Sequence, residues 1–269
     1  MQTDESAFEG WTIVLKSALP GLNKVCLDWE RPVFNASKRN AQQAHYRRFL
    51  MRVANFKQAY SWFYISKEQV AEVNNMQELI ESNTIAVNFP KNECGDVAYP
   101  DKKQEAVLER KLVESWRKNC PITDEQLPVG LFRNGKVSMD NTLTPGRLSQ
   151  IDLWQLDNDT MRIYELKVKG NEAIGIISEL MFYVCTIKNI VDGHIKYPNV
   201  RKVKSYRHFK DFADAVANGK IKNIIGYFTA PRLHSLLESP KLKDKIIEML
   251  NANNLGIKFE YKNISDTTE

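Results

Sequence analysis

The sequence predicts an α/β protein: a central mixed β-sheet flanked by helices, preceded by an N-terminal α+β module. Three observations predict it. From residue 102 onward, helical and strand periodicities alternate in the order helix, strand, strand, strand, helix, strand, helix, strand. The stretch 150–169 reads as two short apolar strands joined by a polar turn at Asp157, Asn158, Asp159 and Thr160. Between Pro90 and Asp101, turn formers including Gly95 and Pro100 cluster without periodicity, which sets a boundary between segments 1–95 and 102–264.

Composition narrows the class. At 269 residues, with 43% hydrophobic and 26% charged residues, the chain has the balance of a globular protein of one large or two small domains. A net charge of +5 is compatible with a polyanionic partner without requiring one. Cys26, Cys94, Cys120 and Cys185 are scattered, with no CxxC or CxxH pair, which argues against a zinc site or disulfide framework and for a reducing compartment. His45, His194, His208 and His234 show no metal-ligand spacing either. The N-terminus is polar and acidic, unlike a leader peptide. The apolar stretch 173–191 is interrupted by Glu179, Lys188 and Asn189, so it reads as a buried helix, and a cytoplasmic protein without a membrane span is expected.

The elements follow in order. Trp11–Lys16 and Lys24–Trp29 are β-branched or aromatic runs separated by Pro20-Gly21, and predict a pair of strands. Ser37 to about Phe63 predicts a long helix bearing Arg39, Arg47, Arg48, Arg52 and Lys57 among aromatics. Ser66 with Gln69 has the spacing of a capping box for a second helix ending near Ser82, and Thr84–Phe89 predicts a strand. In 102–119 the residues Val107, Leu108, Leu112, Val113 and Trp116 recur at helical spacing, and Pro121 stops that helix. Val129–Arg133 predicts a strand, followed by the turn signal Asn134-Gly135. After the 150–169 strand pair come a helix over 171–190, a basic segment to Lys210, a helix over 211–218, a strand over 224–229, a helix within 237–251 and a strand over 257–262.

The strand pair carries the chemistry. Side chains two apart on a strand share a face, so Glu165 and Lys167 project together, while Tyr164, Leu166 and Val168 take the other face. Asp152 lies on the adjoining strand. Mg²⁺ prefers oxygen ligands and usually takes only one or two protein carboxylates, leaving sites for water and phosphate. Asp152 and Glu165 would supply those carboxylates. A bound cation polarises a phosphate and activates water, while Lys167 would orient or deprotonate that water or steady the transition state as a fixed charge. On the 102–119 helix, Glu105, Glu109, Leu112 and Trp116 form one stripe, and Glu105 is slightly favoured over Glu109 as a further acid of the site.

Asp152, twelve residues, Glu165, one residue and Lys167 resemble the core of the PD-(D/E)xK nuclease superfamily, the restriction-endonuclease-like fold, with Ile151 standing where the proline is usual. The resemblance covers about residues 102–262. Within the superfamily it is nearest to the archaeal-type single-strand or mismatch endonucleases and the type I restriction nuclease domain. Those families carry a Gly-Arg-x-Asp-Leu strand, a Glu-Leu-Lys strand and a helix with Gln-x-x-x-Tyr. Here Gly146-Arg147 precedes Asp152 by a longer gap, Glu165-Leu166-Lys167 matches, and Glu179 and Tyr183 occupy the helix positions.

The resemblance implies a metal-dependent DNA endonuclease, hydrolysing phosphodiester bonds by a metal-activated water in restriction, repair or mobile-element processing. Mg²⁺ would be its cofactor, with Mn²⁺ able to substitute. Asp152, Glu165, Glu105 and the Leu166 carbonyl would be ligands, and Lys167 would complete the catalytic set. Candidate nucleic-acid contacts are Arg147, Glu179, Tyr183, Lys196, Arg201, Lys202, Lys204 and Arg207. The last five, all cations, sit in a basic segment interleaved with Tyr197, Tyr206 and Phe209, and are candidates because cations neutralise phosphates and aromatics stack on bases. Nothing in these residues distinguishes DNA from RNA. Segment 1–95 is expected to serve recognition or dimerisation, in a homodimer or a larger nucleoprotein assembly. Two other readings stay open: a catalytically silent nucleic-acid-binding protein with the same fold, and a structural assembly subunit whose basic stretches meet an acidic partner.

Overall fold

The computed structural model describes residues 7–89, 104–145, 149–168, 170, 172–197 and 206–264. The expected boundary at 90–101 falls outside them. The chain is a mixed α/β protein.

The N-terminal segment begins with helix α1 (Phe8–Ala18), where a strand was expected over 11–16. The β-branched run does not decide the matter, because Gly10, Ile13, Val14 and Ser17 bury at spacings of three and four, the period of a helix. Gly10 is required by proximity: a Cβ there would lie 2.9 Å from the Ile174 carbonyl oxygen. The short strand β1 (Val25–Leu27) pairs in parallel with β2 (Phe63–Ile65), and between them runs α2 (Arg39–Ala59), entered through a 3₁₀ turn at Ala36–Lys38. Helix α3 (Val70–Glu81) starts without a side-chain cap. Ser66 Oγ instead donates to Asp28 Oδ1 (2.8 Å) and Gln69 Nε2 to the Trp29 carbonyl (2.7 Å), so the expected capping pair ties the helix start back to the end of β1.

Strand β3 (Ile85–Val87) ends the described part of this segment. It then enters a three-stranded sheet with partners from later in the chain, antiparallel to β5 (Leu131–Arg133) and parallel to β8 (Ile195–Lys196). The Asn134-Gly135 turn after β5 has φ of 54° and 62° at its two residues, the left-handed pair such turns demand.

The principal sheet has five strands in the order β10 (Lys258–Asn263), β9 (Asn223–Ala230), β7 (Thr160–Leu166), β6 (Gln150–Asp157) and β4 (Thr123–Pro128). Strands β4, β6 and β7 run antiparallel in succession; β9 then lies parallel to β7, and β10 parallel to β9. The expected strand at 129–133 is thus shortened to β5 in the smaller sheet, and β4 takes the place beside β6. Thr-Asp-Glu-Gln-Leu-Pro reads as a loop, yet a polar strand ending in proline suits a sheet edge.

Helix α4 (Gln104–Trp116) lies on one face of the sheet, where Leu108, Leu112 and Val113 meet Leu153, Tyr164 and Leu166. Helix α5 (Gly175–Val191) covers the other face and is buried over almost its whole length. Its closeness depends on Gly226 of β9, where a Cβ would come within 2.9 Å of Val184 Cγ1 and 3.2 Å of Leu180 Cγ. Beyond it come α6 (Phe209–Ala217), α7 (Ser235–Glu238) and α8 (Lys243–Asn251). The helix expected within 237–251 is α8, kept apart from the short α7 at Ser239-Pro240, where the ring bars a continuous helix.

One apolar core runs from Ile13 and Phe56 through Ile151 and Leu180 to Phe259, so the residues before 90 and after 103 share a core as well as a sheet. Among the described residues, no helix is long and apolar enough to cross a membrane.

Candidate active site on the central hairpin

The β6–β7 hairpin is closed by a tight turn in which Asp157 faces Thr160 and Asn158 takes the left-handed φ of 54° that asparagine tolerates. The register runs from there to Leu153 opposite Tyr164. One step further, Asp152 comes beside Glu165, and the ladder ends in a side chain: Asp152 Oδ2 accepts from the Leu166 amide at 3.0 Å. The Lys167 amide donates to the Thr229 carbonyl (2.9 Å), which keeps the chain extended past β7. Glu165 and Lys167 therefore stand on one face, Tyr164 and Leu166 on the other against α4, as the alternation predicts. Lys167 Nζ lies 2.5 Å from Glu165 Oε1 and 2.6 Å from Glu179 Oε2, so α5 delivers Glu179 to the site.

The charges are crowded. Burial pushes the Asp152 carboxyl up to about 7 against the opposing pull of Lys167, although the residue keeps an accessible edge. Glu165 is held well above the ordinary carboxylate range, by burial first and the Asp152 charge second. Burial also opposes the Lys167 ammonium, but Glu165, Glu179 and Asp152 outweigh it and hold the amine firmly protonated. Glu179 is likewise penalised by burial, yet the adjoining Glu165 carboxyl and the charge of Lys167 keep it below its usual value.

Of the two acids on the α4 stripe, Glu109 is buried and Glu105 is partly exposed. Glu109 Oε2 accepts from Gln126 Nε2 at 2.7 Å. Burial and the nearby Asp152 charge push its carboxyl up to about 8. Gln126 has φ of 57° and interrupts the pairing of β4 with β6 between Glu125–Leu153 and Leu127–Ile151, opposite Asp152. Glu105 also lies near enough to Asp152 to oppose its ionisation. Both acids therefore act on the Asp152 charge, and Glu109 is held in place by Gln126.

Tyr183, one turn beyond Glu179, is buried, and burial raises its phenol well above the ordinary value. Lys196 is exposed on β8. Arg207 has φ of 48° and pairs with Glu125 of β4 at 3.1 Å. Tyr197 and Phe209 are not free to stack on bases: both pack on Phe89, and Tyr197 also packs on Phe212. Their place in the basic segment reflects the core beneath it. Arg147, Arg201, Lys202 and Lys204 lie outside the described residues.

The site also receives a residue that local pattern does not single out. Arg48 of α2 lies with its guanidinium 4.3 Å from the Phe182 ring centre, and burial lowers its pKa while Tyr183, Glu179 and Glu165 counteract that. Three arginines close together on one helix carry no signal telling which one turns toward the hairpin.

The donor set suits a hard divalent cation. Asp152, Glu165 and Glu179 lie around Lys167, with Arg48 near Glu165 and Glu179 and with Glu109 near Asp152, and Glu165 Oε2 is buried without a hydrogen-bond partner among the described residues. Among those residues no three His, Cys, Asp or Glu side chains form a ready metal cage. A Mg²⁺ site needs fewer, since one or two carboxylates with water and phosphate complete its shell. Comparison with family models, with curated proteins and with solved structures returned no match.

Proposed function

We propose that this chain is a metal-dependent phosphodiester hydrolase that cuts DNA internally, with the active site at the open end of the β6–β7 hairpin. The carrying observation is the convergence of Asp152, Glu165 and Lys167 on one face, with a buried Glu165 oxygen that has no hydrogen-bond partner among the described residues. The order α4, β4, β6, β7, α5, β9, with an antiparallel meander followed by a parallel strand, supports a restriction-endonuclease-like core.

Asp152 and Glu165, with the Leu166 carbonyl, would hold Mg²⁺ or Mn²⁺, which supplies polarisation of the scissile phosphate and a water of lowered pKa. The Leu166 amide fixes the Asp152 carboxylate in place, so one oxygen keeps a defined direction. Lys167, held as an ammonium between Glu165 and Glu179, orients the attacking water and offsets the charge gained on the phosphate. Glu179 positions that ammonium, and Glu109 or Glu105 lies at the rim beside Asp152.

The experiment incubates the protein with Mg²⁺ or Mn²⁺ against circular, linear, single-stranded and branched DNA and against RNA. Covalently closed single-stranded circles are expected to open, which an end-dependent nuclease cannot do. Asp152→Ala, Glu165→Ala and Lys167→Ala should each lower the rate by roughly 10²-fold or more while leaving binding largely intact. Undiminished cleavage by all three purified variants would remove the proposal.

A further inference from the structure

We propose that Arg48 is a phosphate-binding residue of this site, so that the N-terminal helix α2 supplies a substrate contact to the hairpin; the assignment rests on the phosphodiester-hydrolase reading above. Three arginines cluster on α2, and two are consumed by structure. Arg47 donates to the Asp140 and Thr142 carbonyls at 2.9 and 3.1 Å. Arg52 is paired with Glu9 in the core. Arg48 differs from both: its Nε is buried and has no hydrogen-bond partner among the described residues.

Leaving a guanidinium N–H buried and unpaired is unfavourable, and a folded chain retains such a group where something else completes it. The Phe182 ring lies 4.3 Å from the guanidinium carbon, a cation–π contact that steadies the group without using any of its N–H donors. A phosphodiester offers two oxygens at the spacing of two guanidinium N–H groups. Glu165 and Glu179 pair with Lys167, and among the described residues neither makes an ion pair with Arg48, which leaves the arginine for an incoming anion.

The test uses the full chain as wild type, Arg48→Met and Arg48→Lys. Binding to a short labelled DNA duplex and to a single strand is followed by fluorescence anisotropy across a salt series, with EDTA present so that nothing is cut. Thermal melts accompany each variant. For Arg48→Met, the slope of log affinity against log salt is expected to fall by about 0.7–0.9, the loss of one phosphate contact, with a melting temperature equal to or above wild type. Arg48→Lys should keep the slope. A neutral methylphosphonate walked along the strand should weaken wild type at one position and leave Arg48→Met indifferent there.

An unchanged slope in Arg48→Met, or a lowered melting temperature with no change in slope, assigns the residue to structure and overturns the proposal. The hydrolase reading is scored separately by wild-type cleavage with Mn²⁺. Binding that depends on Arg48 without any cleavage sinks that reading alone, cleavage with an unaltered slope sinks this one alone, and absence of all binding sinks both.

Discussion

Two ionic clusters are buried against helix α5, one residue apart in sequence, and they are built on opposite terms. Ser178 belongs to the first: its hydroxyl donates to Glu9 Oε2 at 2.7 Å, and Arg52 donates to both oxygens of the same carboxylate, binding α1, α2 and α5 together. Glu179 belongs to the second, where Lys167 is shared between two acids, and where neither Glu165 Oε2 nor the Nε of Arg48 has a hydrogen-bond partner among the described residues. A buried charge with every bond made is architecture, since removing one partner strands the other. A buried charge left short of partners is destabilising for the isolated chain, which is the signature of a group kept for a ligand. Arg52 and Arg48, one turn apart on α2, make the same contrast.

The comparison breaks most visibly if the first cluster proves dispensable. Glu9→Ala removes the buried carboxylate that accepts from two nitrogens of Arg52, and should lower stability by about 3–5 kcal/mol in urea unfolding; a loss under about 1 kcal/mol would make this pair no more structural than the other. Next in size is Gly226→Ala, whose methyl meets Val184 and Leu180 and should cost about 1–3 kcal/mol. By pressing α5 off the sheet it should also separate Glu179 from Lys167, so cleavage should fall further than the melting temperature alone accounts for.

The second cluster makes a prediction about pH. Asp152 at about 7 and Glu109 at about 8 both lie above their ordinary values, so between roughly pH 4 and pH 8 the folded chain holds protons that the unfolded chain has released. In EDTA, stability should therefore decline as pH rises through that window, and Asp152→Asn with Glu109→Gln should flatten the decline. Added Mn²⁺ should raise the melting temperature more at pH 8 than at pH 5, because ionised carboxylates bind it; equal shifts at both would count against these acids as ligands.

A smaller effect on stability is expected of Glu165→Gln. It removes a carboxylate whose second oxygen has no hydrogen-bond partner among the described residues, so the melting temperature should hold or rise even as cleavage is lost. A fall like that of Glu9→Ala would show that this cluster, too, is structural. Smallest of all is Lys188→Ala on the outer face of α5, which severs only the surface pair with Asp192 and should change stability by less than about 0.5 kcal/mol.

What could be read before the fold was known follows from the range of each interaction. The hairpin was legible because alternation along β6 and β7 and the Asn158 turn are local properties, repeated over a few residues. Helix α1 was misread because Trp11 to Lys16 carries β-type residues, and only the approach of Gly10 to Ile174 shows that a helix face is being buried. Strand β4 was missed because its polar residues look like a loop until β6 pairs with them. The aromatic residues of the basic segment were legible as residues but not as core, since Phe89, on which Tyr197 and Phe209 both pack, comes from a distant position.

By itself the sequence determined that Asp152, Glu165 and Lys167 belong to one hairpin, with Glu165 and Lys167 on a common face, because strand geometry leaves a side chain two choices of direction. Only the tertiary structure decided what surrounds them: that Glu179 shares Lys167, that Glu109 is the buried acid of the α4 stripe, and that Arg48, not Arg52, is the arginine left short of partners. Those outcomes depend on how α2, α4 and α5 pack on the sheet, and packing is set by shape and burial summed over the whole core. Local periodicity cannot carry that information, because it reports which face of an element is apolar and not which neighbour will cover it.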